Sequence, residues 1–129
     1  MKITLSAAAI ALSGAFLMSA AVPAAADQGP KAVLKVRLAI AGEKVRTVKL
    51  TCDRDGGSHP TPRAACRLLR AVDGRPGELE LESHPTCTRE FRPHMVAIWG
   101  QWRGQQVKFS HVYANECVMK AAGGAAFTI

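Results

Sequence analysis

Apolar and polar residues alternate through the middle of "VLKVRLAI", which sets Leu34, Val36, Leu38 and Ile40 on one face and Lys35 and Arg37 on the other. That period of two is the mark of a half-buried strand. "AGEK" at 41–44 suits a turn, and "RTVKLTC" resumes the alternation through Val48, Leu50 and Cys52, so the two segments read as a hairpin. "DRDGGSHP" has loop composition. The period then changes. In "TPRAACRLLRAVDG", Thr61 can cap a helix, Pro62 fits the first helical position, Ala65, Leu68, Leu69 and Val72 form a stripe, and Gly74 supplies the stop. Residues 75–93 show little periodicity beyond "ELELE" and read as an extended connection. "MVAIW" and "QVKFSHVYA" are expected as strands joined around "GQWRG". Asn115–Ala121 is expected as a short helical segment ended by Gly123 and Gly124, and "AAFTI" as a final strand. Strands outnumber helices and sequential strands can pair through short turns. The expected class is α+β, with helix packed on an antiparallel sheet.

The start of the chain lies outside this pattern. Met1–Lys2, an apolar run from about Ile3 to Val22 and an Ala-x-Ala site at Ala24 and Ala26 read as a secretory signal peptide over residues 1–26. Its polar interruptions at Ser6, Ser13 and Ser19 argue against a membrane anchor, and no later run is long enough to span a bilayer. Residues 27–129 then form one secreted domain. A chain of this size buries roughly 65% of its unfolded surface, which supports only a modest core. The whole chain carries a formal charge of +7, and removal of Lys2 with the leader leaves +6. The basic residues are scattered, with no run of five, and aromatics are few, so the charge reads as solvated strand faces. Neither a nucleic-acid nor a membrane partner is expected.

An exported chain with four cysteines, Cys52, Cys66, Cys87 and Cys117, is expected to form two disulfides, and spacing alone leaves three pairings open. No C-x-x-C or H-x-x-x-H spacing accompanies them, so no metal site is expected. His59, His84 and His94 are expected in surface loops or at strand ends, and His111 pointing out of a strand. Catalytic signatures such as G-x-S-x-G, a carboxylate pair or a phosphate-binding glycine loop are missing from the sequence. The chain is expected not to be an enzyme and to need no cofactor.

One segment stands out chemically. "HPTCTREFRPH", residues 84–94, sets Arg89 two places after Cys87, between Thr88 and Glu90, with Pro85 and Pro93 on either side. Prolines so placed exclude the middle of a helix or of a central strand. Trypsin-like proteases hold an aspartate in the pocket that takes the residue before the cut bond, so an exposed arginine resembles their substrate. A loop fixed in its bound shape loses little entropy on docking. Cys87 supplies such fixation if its partner is Cys117. A secreted module for polyanions and a small secreted hydrolase are the competing readings.

The sequence resembles the Streptomyces subtilisin inhibitor family of secreted serine-protease inhibitors. The resemblance is carried by "VKLTC", "GSHPTPRAACRLL", "CTREFRP", "GQWRGQQVKFSHVYANEC" and "GAAFTI". It implies five antiparallel strands with two helices, a two-fold homodimer formed through the sheet, and the pairings Cys52–Cys66 and Cys87–Cys117. It further implies a reactive bond at Arg89–Glu90, with Thr86, Cys87 and Thr88 leading into a protease cleft and Glu90, Phe91 and Arg92 leaving it. Asn115 and Pro93 are then supports of the loop. The expected partners are extracellular serine proteases, subtilisin-like and, through Arg89, trypsin-like.

Overall fold

The computed structural model of the protein describes residues 14–15, 18–21 and 29–129, so most of the leader expected over residues 1–26 lies outside the described residues. Five antiparallel strands make one sheet: β1 (Ala32–Ile40), β2 (Arg46–Cys52), β3 (Gly56–Gly57), β4 (His94–Trp102) and β5 (Gln105–Tyr113), in the order β3-β2-β1-β4-β5. Two helices, α1 (Pro62–Ala71) and α2 (Glu116–Gly123), complete the α+β architecture. Among the described residues no helix is long and apolar enough to cross a membrane.

The alternation in β1 becomes its burial. Ala32, Leu34, Val36 and Leu38 face the core, while Val33, Lys35 and Arg37 lie on the opposite face. As the central strand, β1 pairs Val36 with Val48 of β2 and with Ile98 of β4. Leu50, Val96 and Ile98 join the same inner face, and α1 lays Ala65, Cys66 and Leu69 on it. The packing tolerates no side chain at Gly100, opposite Leu34: its φ is 141°, and a Cβ would stand 2.2 Å from the Val33 carbonyl oxygen.

Three local expectations are corrected. "AAFTI" is not a strand, because its start is a 3₁₀ turn over Gly124–Ala126 and the two consecutive residues Ala126 and Phe127 are both fully buried. A strand with one wet face cannot bury neighbours in succession. Phe127 instead stacks on Phe109 with ring centroids 5.6 Å apart, and a Cβ on Gly123 would meet its ring at 2.0 Å. The fifth strand is Gly56–Gly57, inside the segment read as loop. Nor does "GQWRG" as a whole make the β4–β5 turn. Both strands run further, and only Arg103 and Gly104 turn, at φ 46° and 85°, the paired positive values that a tight two-residue hairpin requires.

Two histidines lie where expected, His59 in a loop and His94 at a strand end, but are buried rather than exposed. His59 and His94 are each only 4% exposed. The Thr61 amide donates to Nδ1 of His59 at 3.0 Å, so the proton of the neutral ring lies on Nε2. Burial, partly offset by the nearby backbone of Ala126 and Ala125, pushes the His59 pKa below its ordinary value. Thr61 makes no side-chain cap to α1, contrary to expectation.

The end of the sheet bearing Ala32, Cys52 and Trp102 is fastened by charge. Arg70 of α1 grips Asp55 through two hydrogen bonds, 3.0 and 3.1 Å, and Arg103 donates to Asp53 at 2.7 Å. The Arg70 guanidinium holds the Asp55 carboxyl below the usual carboxylate range, and Arg103 does the same for Asp53. The fully buried Cys52–Cys66 bridge lies at this end, tying β2 to α1.

Candidate functional site

The opposite end of the sheet carries the proline-bracketed loop. Its approach is tied down before it becomes free: the amides of Leu81 and Glu82 donate to the carbonyls of Ala122 and Ala121 in α2, at 3.2 and 2.9 Å. Residues 85–93 then run without helix or strand until β4 begins at His94. Among them Thr86, Thr88, Arg89, Glu90 and Phe91 are exposed, Phe91 at 79%. Among the described residues no hydrogen bond or ion pair engages the Arg89 side chain.

Freedom of that side chain contrasts with restraint of the backbone beneath it. Cys87 is joined to Cys117 in the first turn of α2, with Cα atoms 5.8 Å apart. The two pairings implied by the resemblance are thus both formed. The loop's second restraint is Asn115, buried and standing at the N-cap of α2. Its Oδ1 accepts from the Val118 amide at 3.0 Å, which fixes the side-chain plane. Its Nδ2 then donates to the carbonyls of Thr88 at 3.1 Å and of Glu90 at 2.9 Å. Those carbonyls lie on either side of Arg89, so one amide group holds the backbone before and after it. This one residue thus caps α2 and holds the loop at the same time.

The far arm of the loop is held at Arg92. Its amide donates to the Ala114 carbonyl at 2.8 Å, its carbonyl meets Nδ1 of His94 at 2.6 Å, and its guanidinium pairs with Glu43 in the β1–β2 turn. Sequence reasoning found Thr86, Cys87, Thr88, Arg89, Glu90, Phe91, Arg92, Pro93 and Asn115 in one place, and the fold brings them together. It missed Glu43, His94 and the Ala114 carbonyl. Glu43 is 49 residues from Arg92 in the chain, and no motif links them. His94 offered only its position beside Pro93.

Chemically, this end presents an exposed cationic side chain on a peptide segment whose backbone is tied to the body. One set of potential metal-ligand atoms among the described residues, from Cys52, Asp55 and Cys66, lies at the other end, and its two sulfurs are joined in a disulfide.

Known proteins similar to this chain are protease inhibitors. A family model described as subtilisin inhibitor-like matches residues 32–115. The subtilase-type protease inhibitor of Streptomyces coelicolor is 39% identical over 122 residues, which cover 91% of this chain and 85% of that protein. Subtilisin inhibitor-like protein 3, from the same organism, is 40% identical over 85 residues, or 65% of this chain and 79% of that one. Among solved structures, sermetstatin of Streptomyces caespitosus, crystallised in complex with Bacillus licheniformis subtilisin, superposes with a TM-score of 0.59. It is 27% identical, and the match covers 78% of this chain and all of that one.

Proposed function

This chain belongs to the subtilisin inhibitor-like family, and from that premise we propose that it blocks extracellular serine proteases by presenting Arg89–Glu90 as a substrate bond that is cut slowly and resealed. The chain is a protease inhibitor of the subtilisin-inhibitor type and not an enzyme. The observation that carries the finer reading is the Asn115 amide, which fixes the carbonyls on both sides of an exposed and unpaired Arg89.

In this reading Thr86, Cys87 and Thr88 lie along the protease cleft before the bond, and Glu90 and Phe91 after it. The protease serine attacks the Arg89 carbonyl, the Arg89–Glu90 bond breaks, and the Glu90 amine leaves with a proton. In a flexible peptide the amine would diffuse away. Here the Cys87–Cys117 bridge holds the acyl segment and Asn115 holds the Glu90 carbonyl, so the amine stays beside the acyl carbon, where it attacks, expels the serine and restores the peptide. Little conformational entropy remains to be lost on docking, which favours tight binding.

Arg89 sets the preference. Its guanidinium can pair with the aspartate of a trypsin-like pocket in a desolvated contact, and leaving one such partner unpaired costs about 2–5 kcal/mol. Titration of active-site-counted trypsin and subtilisin with the purified protein tests this reading. The parent is expected to abolish both activities in proportion to the amount added. Arg89→Ala is expected to weaken trypsin inhibition by at least about 30-fold and subtilisin inhibition much less. Equal inhibition of trypsin by parent and variant would contradict the assignment.

We further propose secretion by the leader and a two-fold dimer through the outer face of the sheet. The helices leave that face uncovered. Val33 and Val112 are exposed there, and Arg37 lies over the Trp99 ring at 5.0 Å from its centroid. A self-complementary patch of this kind suits a two-fold interface. Light scattering at micromolar concentration and moderate salt is expected to give the dimer mass, and a monomer mass would refute the pairing.

A further inference from the structure

Arg92 differs from its neighbours in the loop. Thr88, Arg89, Glu90 and Phe91 point to solvent, whereas Arg92 is engaged by three separate parts of the body. Its amide is held by the Ala114 carbonyl, at the end of β5. Its carbonyl is held by buried His94, at the start of β4. Its guanidinium is paired with Glu43, in the turn between β1 and β2. Three elements that converge at this end of the sheet thus meet on one residue, on the side of the bond that the disulfide does not reach.

That asymmetry matters for a cut loop. Once Arg89–Glu90 is open, the segment ending in Arg89 stays tied two residues back by Cys87–Cys117. The segment beginning with Glu90 has no covalent tie until β4. Its new amine is kept in place only by the Asn115 bond to the Glu90 carbonyl and by whatever holds Arg92. We propose that Arg92, through Glu43 and His94, is the positioning residue that returns the Glu90 amine to the acyl carbon, so that resealing competes with hydrolysis. This rests on the reading of Arg89–Glu90 as the reactive bond. Arg92 touches no reacting atom. The bond that forms and breaks is the Arg89–Glu90 peptide, exchanged with an ester on the protease serine, and the proton taken up by the leaving amine is given back on resealing.

A nearby acid does not duplicate Glu43. Glu116 lines the same cleft of about 170 Å³ beneath the loop, together with Arg46, Arg92 and His94. However, Glu116 is committed to Lys120 at 2.7 Å, and it is chiefly Lys120, with only a lesser influence from Arg92, that lowers its pKa. The Arg92–Glu43 pair is itself about half exposed, at 49% and 41%, so its individual contribution is small and water-screened. The backbone bonds carry the larger share, and they survive substitution of the side chains.

The test uses the full secreted protein and catalytic amounts of subtilisin at mildly acid pH, where cut and intact inhibitor reach equilibrium. The ratio of cut to intact protein is read by mass spectrometry. Arg92→Ala and Glu43→Ala are each expected to raise that ratio by roughly two- to fivefold, and the double variant by no more than either alone. Arg92→Lys, which keeps the charge, is expected to restore part of the parent value. A purely structural role would move the melting temperature without moving this ratio. An unchanged ratio in both single variants, or a double variant that multiplies the two effects, overturns the proposal and leaves the reactive bond standing. If the parent is instead cut at some other bond, the reading of Arg89–Glu90 falls and the role of Arg92 falls with it.

Discussion

The two ends of the sheet are held together by different means. At the end bearing Cys52 and Trp102, the disulfide is fully buried and charged groups clamp onto one another, Arg70 to Asp55 and Arg103 to Asp53. At the other end, roughly 27 Å away along nine-residue strands, the disulfide joins half-buried Cys87 to exposed Cys117, and the polar groups grip backbone carbonyls. The first arrangement fixes elements relative to each other. The second fixes a segment that belongs to no element, and it leaves the side chains of that segment free. A chain built only to be stable has no reason to order a loop while exposing Arg89 and Phe91 on it. On the proposed reading, the loop end is the working end and the clamped end is the frame.

The comparison breaks most sharply if the two bridges are removed one at a time. In the chain-entropy account, the Cys87–Cys117 bridge, with its sequence separation of 30, is worth about 3.7 kcal/mol, and Cys52–Cys66, with a separation of 14, about 3. Their effects on stability are therefore similar. Their effects on inhibition should not be. Replacing Cys87 and Cys117 with serine is expected to turn the inhibitor into a substrate that subtilisin cuts and releases, with a loss of inhibition of about 100-fold or more. Replacing Cys52 and Cys66 is expected to lower the melting temperature while leaving inhibition intact below it. Inhibition constants and thermal melts on both variants distinguish the outcomes, and equal inhibition by both would erase the distinction between the ends.

A smaller effect sharpens the same point. Asn115→Ala removes the donor shared by the Thr88 and Glu90 carbonyls and also the cap of α2. Losing such a cap costs about 1 kcal/mol of stability. Freeing both carbonyls is expected to weaken inhibition by about tenfold, since each exposed-loop hydrogen bond contributes roughly 0.5–1.5 kcal/mol. Asn115→Asp separates the roles, because it keeps an oxygen for the Val118 amide and loses the donor to the loop. It is expected to retain the helix cap and still inhibit poorly.

Much of the frame was legible in the sequence, because the strands that build it are half-buried and half-wet. Leu34, Val36 and Leu38 alternate with Lys35 and Arg37, and such a pattern leaves one structural reading. The C-terminal "AAFTI" misled for the opposite reason. It is buried by Phe127 filling the space between α2 and β5, a tertiary fact that composition does not carry. His59 and His94 were hidden in the same way, since an imidazole with a hydrogen-bond partner can be buried at little cost, and nothing local marks it. In the loop, the residues near Arg89 in sequence could be named from prolines and cysteine spacing. Its supports from Glu43, His94 and the Ala114 carbonyl arrive from other elements and became visible only once the sheet was assembled.

The central claim is that one bond in an otherwise stable chain is offered to the protease and held there. Mass spectrometry of the protein after long incubation with a trace of subtilisin or trypsin at mildly acid pH reads this directly. The account predicts a single cut between Arg89 and Glu90, both pieces remaining joined through Cys87–Cys117 until reduction, and reappearance of intact chain when the cut form is returned to neutral pH with protease. A first cut elsewhere, or progressive degradation with no return of intact chain, would contradict it.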